Sequence, residues 1–539
     1  MLFGNNHSET DKRDKMKKKQ RITEYICAGI MIGIPLIIAG VVALIGYAKT
    51  GLFPEPGLKW NDEAAYLQMI KNCITTGQPV GYWGFNGNHA LVGTGGAWSP
   101  AIIWPYAIFA FVFPVTQGFV FYVNLFYITL ANFIFFICVK PQKRNCIKVA
   151  LAQVTSAVFV LYLSVNMSEI FRYAFAIVIA GLLYQMFFCE AKPVVKYVIT
   201  PLVILASVQV YVFFAFCVPI YVFALLRKSK LWVRIVVAIP AMGMVALGSY
   251  YLLHLISSNY NIYKTEALLN AVKTFDIPGA VIAFLRMMKA GMGQVFNLWT
   301  YVYSNPLIPW HVLFSILLVF IALIPFIRMF AGKKKDENRH DGILGAIVIY
   351  SIPLFYLMYM TLYSIEPFTF VRGTQIAVVF SVWLLALMKD KILFYVILAL
   401  QAVSLIFLPA NMEYFMQDRY VTEETKKVWS QLEDAFSEVF VLEESEEPWD
   451  NTIYLYTMEP KVICAIPGGF GVNFIMQDGI FPEDAEYVLC SKTAPEAVNP
   501  EWLEKSFSII ETQFGDVLNE KYVKIYESDA YVVFRKIKG

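Results

Sequence analysis

Apolar runs close to the ~20 residues needed to cross hydrocarbon recur from Tyr25 to Pro409, and short lysine and arginine clusters separate them. That alternation leaves the chain few options. Unbroken apolar segments of this length have to satisfy their backbone polar groups internally, so they read as helices. The composition agrees: 58% of residues are hydrophobic, 16% charged, and the mean hydropathy is +0.56. A net charge of +3 is nearly balanced and gives no basic footprint for nucleic acid.

The basic clusters fall at 12–21, 140–148, 192–196, 227–234, 328–339 and 389–391. If all face the cytoplasm, the chain makes roughly eleven spans. The outward segments are then 49–117, 166–173, a tight turn near Gln209, 257–310, 364–372 and everything beyond Pro409. Residues 1–24 form a basic cytoplasmic N-terminus. The run Tyr25–Ala48 is too long for a signal-peptide core and reads as an uncleaved first span. The protein is thus expected to be integral to the plasma membrane and multi-pass. Two segments are short for spans. The stretch 100–114 carries Pro105 and reads as an interfacial or re-entrant helix. The stretch 196–226 is either a pair of short spans or one kinked helix, and the second choice would reverse the later parity.

The transmembrane domain is taken as 25–409. Beyond it, 423–447 is acidic and helix-patterned through Val428, Leu432, Ala435, Phe436 and Val439. Strand-like runs follow at 452–456, 486–490, 522–526 and 531–535, the last two suiting a hairpin. Residues 410–539 therefore read as a small extracytoplasmic α/β domain. The eight cysteines show no metal-ligand spacing, and Cys464 and Cys490 could pair if this region is extracellular. Pro467-Gly-Gly-Phe-Gly471 lacks the lysine of a nucleotide-binding loop.

The candidate chemistry lies at the outer ends of the spans. Asp62 and Glu63 follow Asn61, a good N-cap, and Tyr66, Met69, Ile70 and Cys73 share one face of the helix that follows. An ionised carboxylate there could accept a hydroxyl proton or hold a cation, and it could equally be a helix cap. Glu169 lies in the next outward segment, beside Arg172 at i,i+3, so it either faces the same site or forms a local pair. Arg372 stands at the entrance of a late span, where an arginine at depth costs about 2.5–3.5 kcal/mol and so usually has a partner. It could bind a phosphate bidentately, pair with Glu366, or snorkel to the interface. His89 could line the site and His254 could bond a carbonyl. Arg286 and Lys289, on an amphipathic stretch, could attract a lipid phosphate or form a solvated face.

The run from Asp62-Glu63-Ala-Ala-Tyr66 through Gly77 and Tyr82-Trp83-Gly-Phe85-Asn86-Gly87-Asn88-His89 to Trp98-Ser99-Pro100 resembles the first external loop of the GT-C membrane glycosyltransferases. That superfamily includes protein O-mannosyltransferases and the lipid A aminoarabinose transferase. The resemblance implies a GT-C-like fold, a polyprenyl-phosphate sugar donor and an extracytoplasmic acceptor, whether a cell-wall polymer, lipid or protein. It places Asp62 at the catalytic or metal-associated acid. Asp62, Glu63 and Glu169 could share a divalent cation, with Tyr66, His89, Arg172, Arg372, Arg286 and Lys289 toward the substrates. Two departures stand out: Ser99 where the family often has His, and Gly373 where a Tyr often follows the arginine. A transporter or flippase for a lipid-linked glycan, a non-catalytic envelope-assembly or sensor protein, and a polymerase or ligase using a polyprenyl diphosphate donor are the alternatives.

Overall fold

The computed structural model describes residues 6–51, 56–58, 61–77, 83–85, 100–140, 142–256, 266–331, 335–362, 367–410, 423–442, 451–456, 460–474, 486–491 and 520–537. Among these, seven helices are long and apolar enough to cross a membrane: Ile22–Lys49, Phe119–Val139, Glu169–Phe188, Leu231–Ser249, Leu307–Phe330, Asn338–Leu362 and Lys391–Ala410. The protein is polytopic and α-helical, with a small sheet at its C-terminal end. Seven is fewer than the roughly eleven expected, and the difference lies in short or broken helices.

The helices are α1 (Asn6–Thr50), α2 (Asn61–Thr76), α3 (Pro100–Ala110), α4 (Phe119–Val139), α5 (Lys143–Val154), α6 (Ala157–Leu163), α7 (Glu169–Phe188), α8 (Thr200–Val210) and α9 (Cys217–Leu225). They continue with α10 (Leu231–Ile256), α11 (Glu266–Lys273), α12 (Ile277–Asn297), α13 (Leu307–Phe330), α14 (Lys335–Leu362), α15 (Pro367–Leu385) and α16 (Lys391–Val403). Helices α5 and α6 form one pair bent by 73°. The break sits at Ser156, whose hydroxyl caps the new helix by accepting the Phe159 N–H at 3.3 Å.

The two short segments resolve differently. Helix α3 spans only ~16 Å at 1.5 Å per residue and is pinned against α4. The Tyr106 hydroxyl donates to Asn124 Oδ1 (2.6 Å) and the Tyr127 hydroxyl to the Pro105 carbonyl (2.7 Å). Its other face leaves Trp104 and Ile108 exposed, as an interfacial helix does. The stretch 196–226 is a hairpin. The Tyr221 hydroxyl donates to the Lys196 carbonyl at 3.0 Å, which a single continuous helix would forbid. Its tip at Tyr211 lies at the end of the bundle where α7 begins, since the ring stacks under the Arg172 guanidinium at 4.6 Å.

The basic clusters gather at the opposite end. Lys148 Nζ donates to the Met388 carbonyl (2.7 Å), Arg328 pairs with Asp390 (2.8 Å), and Tyr184, late on α7, meets His340 (3.1 Å). Charge clusters far apart in sequence thus share one end of the bundle, the arrangement their parity requires.

The sheet has six strands: β1 (Trp83–Phe85), β2 (Thr452–Tyr456), β3 (Gly471–Phe474), β4 (Tyr487–Ser491), β5 (Tyr522–Glu527) and β6 (Tyr531–Lys536), in the order β1-β3-β2-β4-β6-β5. β1 through β4 pair in parallel, and β6 and β5 add antiparallel. The expected hairpin is present. Strand β1 comes from the loop 49–117, so the sheet is built across two segments (Trp83 opposite Val472). Helix α17 (Glu423–Val439) ends earlier than the acidic pattern suggests. It packs through Phe436 and the following Phe440, while Val428 is 60% exposed. Cys464 and Cys490 are both buried and free, not paired.

Candidate active site

Helix α2 supplies the first acid. Its start is fixed by Glu63, which is fully buried and accepts the Asn166 backbone N–H at 2.8 Å. Asn166 in turn holds the Pro56 and Gly57 carbonyls (3.1 and 3.2 Å) and accepts the Phe121 N–H (2.9 Å). Three segments therefore meet at one asparagine, and Glu63 is used in building that junction. Successive helical residues point about 100° apart, so Asp62 is turned away from Glu63 and toward the bundle.

There it meets Arg372, on the second turn of α15. Arg372 Nη2 donates to Asp62 Oδ2 at 3.0 Å. Its Nε and Nη2 both donate to Glu169 Oε1, at 2.9 and 2.7 Å. Glu169, the first residue of α7, is 1% exposed and also lies 3.8 Å from Arg172. One guanidinium thus joins carboxylates from two separate outward segments. The residues 62, 169 and 372 are brought together as the sequence suggests, and Glu169 pairs with both arginines. Burial pushes the Asp62 carboxyl above its ordinary value, against the pull of Arg372. Burial likewise pushes the nearby Tyr66 hydroxyl up and keeps it neutral.

Around this cluster three buried polar atoms have no hydrogen-bond partner among the described residues: Ser168 Oγ, Glu169 Oε2 and Arg172 Nε. Each such atom typically costs about 1–3 kcal/mol. All three lie at the N-terminal end of α7, beside the Asp62–Arg372–Glu169 cluster. Tyr162 and Tyr173, rings edge to face at 6.3 Å, lie near the same charges, and the Tyr173 hydroxyl reaches the Arg372 carbonyl at 3.5 Å. The sequence does not single out these tyrosines, because an aromatic in an apolar run reads as core.

Gly373 is explained by packing: a Cβ there would lie 2.2 Å from the Tyr359 ring. Arg286 and Lys289 are exposed on α12 and make no hydrogen bond or ion pair among the described residues. His89, Ser99 and Glu366 lie outside the described residues, and His254 has no described side chain. A cation shared by Asp62, Glu63 and Glu169 does not fit this arrangement. Glu63 is committed to the Asn166 N–H, and Arg372 occupies the space between the other two. Among the described residues no cluster of three or more His, Cys, Asp or Glu could hold a metal.

The far face of α2 carries the sheet domain. Asn72 donates to the Phe470 carbonyl (2.9 Å) and accepts the Gly469 N–H (2.7 Å). Gln68 donates to the Pro467 carbonyl (2.9 Å), and Lys71 to the Cys464 carbonyl. A Cβ on Gly468 would sit 2.3 Å from Thr75 Oγ1 and 2.7 Å from the Lys71 carbonyl. The Pro467–Gly471 loop is therefore a close-approach surface for α2, and Gly469 adopts φ +102°.

No protein-family model matches the sequence, and no curated protein matches it. The fold is similar to ArnT from Cupriavidus metallidurans bound to undecaprenyl phosphate, at 11% identity and TM-score 0.44, over 94% of this chain and 97% of that one. It is also similar to the Archaeoglobus fulgidus oligosaccharyltransferase in complex with Zn and sulfate (11% identity, TM-score 0.44, 95% and 73% of the two chains). The archaeal oligosaccharyltransferase AglB from Archaeoglobus fulgidus, in complex with an inhibitory peptide and a dolichol-phosphate, gives 11% identity and a TM-score of 0.41, over 97% and 75% of the two chains. Likenesses at this level transfer no residue roles.

Proposed function

We propose that this chain is a membrane glycosyltransferase that moves a sugar from a polyprenyl-phosphate donor to an acceptor hydroxyl or amide on the extracytoplasmic side. The observation that carries the reading is the shared guanidinium of Arg372. It is anchored to Glu169 by two hydrogen bonds and to Asp62 by one. Asp62, Glu169, Arg172 and Arg372 together are electrically neutral as ionised groups. A donor phosphate adds negative charge and competes for Arg372. The single bond to Asp62, whose side chain is 25% exposed, is the easier one to give up. Donor binding would then release Asp62 as a base at the moment the phosphate is held.

In the reaction, the acceptor oxygen or nitrogen attacks the anomeric carbon as Asp62 takes its proton. The bond from that carbon to the phosphate oxygen breaks, and polyprenyl phosphate departs with the electron pair. Arg372 balances the charge it leaves with. Glu169 and Arg172 keep Arg372 in register, and Glu63 keeps α2 in place. The sheet and the site lie outside, with the basic clusters in the cytoplasm.

The test is transfer of radiolabelled sugar from polyprenyl-phosphate hexoses by membranes containing the wild type or Asp62→Asn. The expected result is transfer by the wild type and a loss of about 10²–10⁴-fold in the variant. Failure of the wild type with every polyprenyl-linked donor rejects the proposal.

A further inference from the structure

A cavity of about 940 Å³ lies at the other end of the bundle. Its upper wall includes Phe187 and Phe188, 18 and 19 residues along α7 from Glu169, or roughly 27 Å away at 1.5 Å per residue. It is therefore a separate place from the candidate active site. The walls are apolar, with Pro219, Phe223, Ile343 and Ile347 drawn from α9 and α14. The rim carries Arg227, Lys228, Arg234 and Arg339, from three different segments. Among the described residues none of these four makes an ion pair with a carboxylate. Arg234 instead folds back onto the Arg227 and Ser229 carbonyls and holds the turn that presents Arg227 and Lys228. The neighbouring acid, Asp341, is occupied by His340 and by the Lys389 and Asp390 backbone N–H groups.

Deeper in, the Tyr350 hydroxyl lines the cavity, buried and without a hydrogen-bond partner among the described residues. It is 11 residues along α14 from Arg339, so the cavity runs roughly 16 Å inward from the rim. A free phosphate ion would leave most of that apolar volume empty, and an uncharged lipid would leave Arg227, Lys228 and Arg339 unused. We infer that this cavity is a binding site for an anionic phospholipid of the leaflet on the basic side, its phosphate held by Arg227, Lys228 and Arg339 and an acyl chain inserted between α9 and α14. Basic pockets between membrane helices recognise headgroups in this way.

The full chain, purified in detergent, would be offered phosphatidylglycerol or phosphatidylcholine with identical acyl chains and read by native mass spectrometry. The wild type should retain phosphatidylglycerol in preference. Preference should fall about fivefold for each cation removed in Arg227→Gln, Lys228→Gln and Arg339→Gln. Ala346→Phe, which sets a ring into the apolar wall and keeps every charge, should lower retention while transfer at the Asp62 site and lipid-free thermal unfolding stay unchanged. Equal retention of the two lipids by the wild type overturns the inference. So does unaltered retention in Ala346→Phe, which would move the lipid to the exposed charges. Protection against thermal unfolding by inorganic phosphate equal to that by phosphatidylglycerol would also overturn it, in favour of the free ion.

Discussion

Replacing Asp62 and Glu169 by their amides should separate chemistry from stability. Both carboxylates bind the same guanidinium, but their surroundings differ. Glu169 is 1% exposed, accepts two bonds from Arg372 and faces Arg172. Neutralising it leaves two buried guanidiniums with one carboxylate between them, and breaking such a pair costs about 3–5 kcal/mol. Glutamine keeps an acceptor oxygen, so Glu169→Gln should fall toward the lower end of that range. Asp62 offers one bond at 3.0 Å and is a quarter exposed, so Asp62→Asn should cost about 1 kcal/mol or less. The activities should rank the other way in cause. Asp62→Asn removes the base from a protein that remains folded. Glu169→Gln loses activity by loosening Arg372, and a second change, Arg372→Gln, should restore part of its stability because the two sites are coupled. Thermal unfolding of the purified variants, beside sugar transfer by the same preparations, measures both. Equal destabilisation by the two amides, with transfer retained in Asp62→Asn, would show Asp62 to be a structural partner of Arg372 and remove the base from the mechanism.

Two other outcomes follow from the same geometry. Burial raises the Asp62 carboxyl, so the base is lost to protonation at a higher pH than a solvent-exposed aspartate would be; the acid limb of transfer should lie above the ordinary value of 3.8 and disappear from the residual activity of Asp62→Asn. The sign for stability is opposite to that of a salt-bridged acid with a lowered pKa: the folded state holds this proton more tightly, so Asp62 favours folding below its unfolded pKa and that favour is lost as pH rises through the folded value. Gly468→Ala should push the Pro467–Gly471 loop off α2, because its Cβ would meet the Lys71 carbonyl at 2.7 Å. Hydrogen exchange along α2 should rise and transfer should fall, while exchange in α7 and α15 stays as it was.

How much of this was legible in the sequence depended on what each residue had to announce itself against. Asp62, Glu169 and Arg372 stood out because ionisable groups at the ends of apolar helices are costly, and the alternating basic clusters put all three at one end. Which of two adjacent acids faced the site was not legible: a helix turns Asp62 and Glu63 apart, and only the position of Asn166, about 100 residues on, decides that Glu63 builds the junction. Strand β1 is three residues long, too short for any periodicity, and exists because β3 offers an edge beside it. Read in sequence, the Pro467–Gly471 motif shows only what it lacks as a phosphate loop. Its partner was visible all along in Gln68, Lys71, Asn72 and Thr75, a polar stripe at helical spacing along α2. On a helix whose opposite face is packed into the bundle, that stripe had to meet either water or protein. The structure seats it against backbone carbonyls that would otherwise be unpaired, and so ties the helix bearing Asp62 to the sheet on one side and to Arg372 on the other. Gly468 follows from that contact, since only a residue without a Cβ lets the two backbones approach this closely, while Gly469 follows from its φ of +102° and the Leu442 side chain against it.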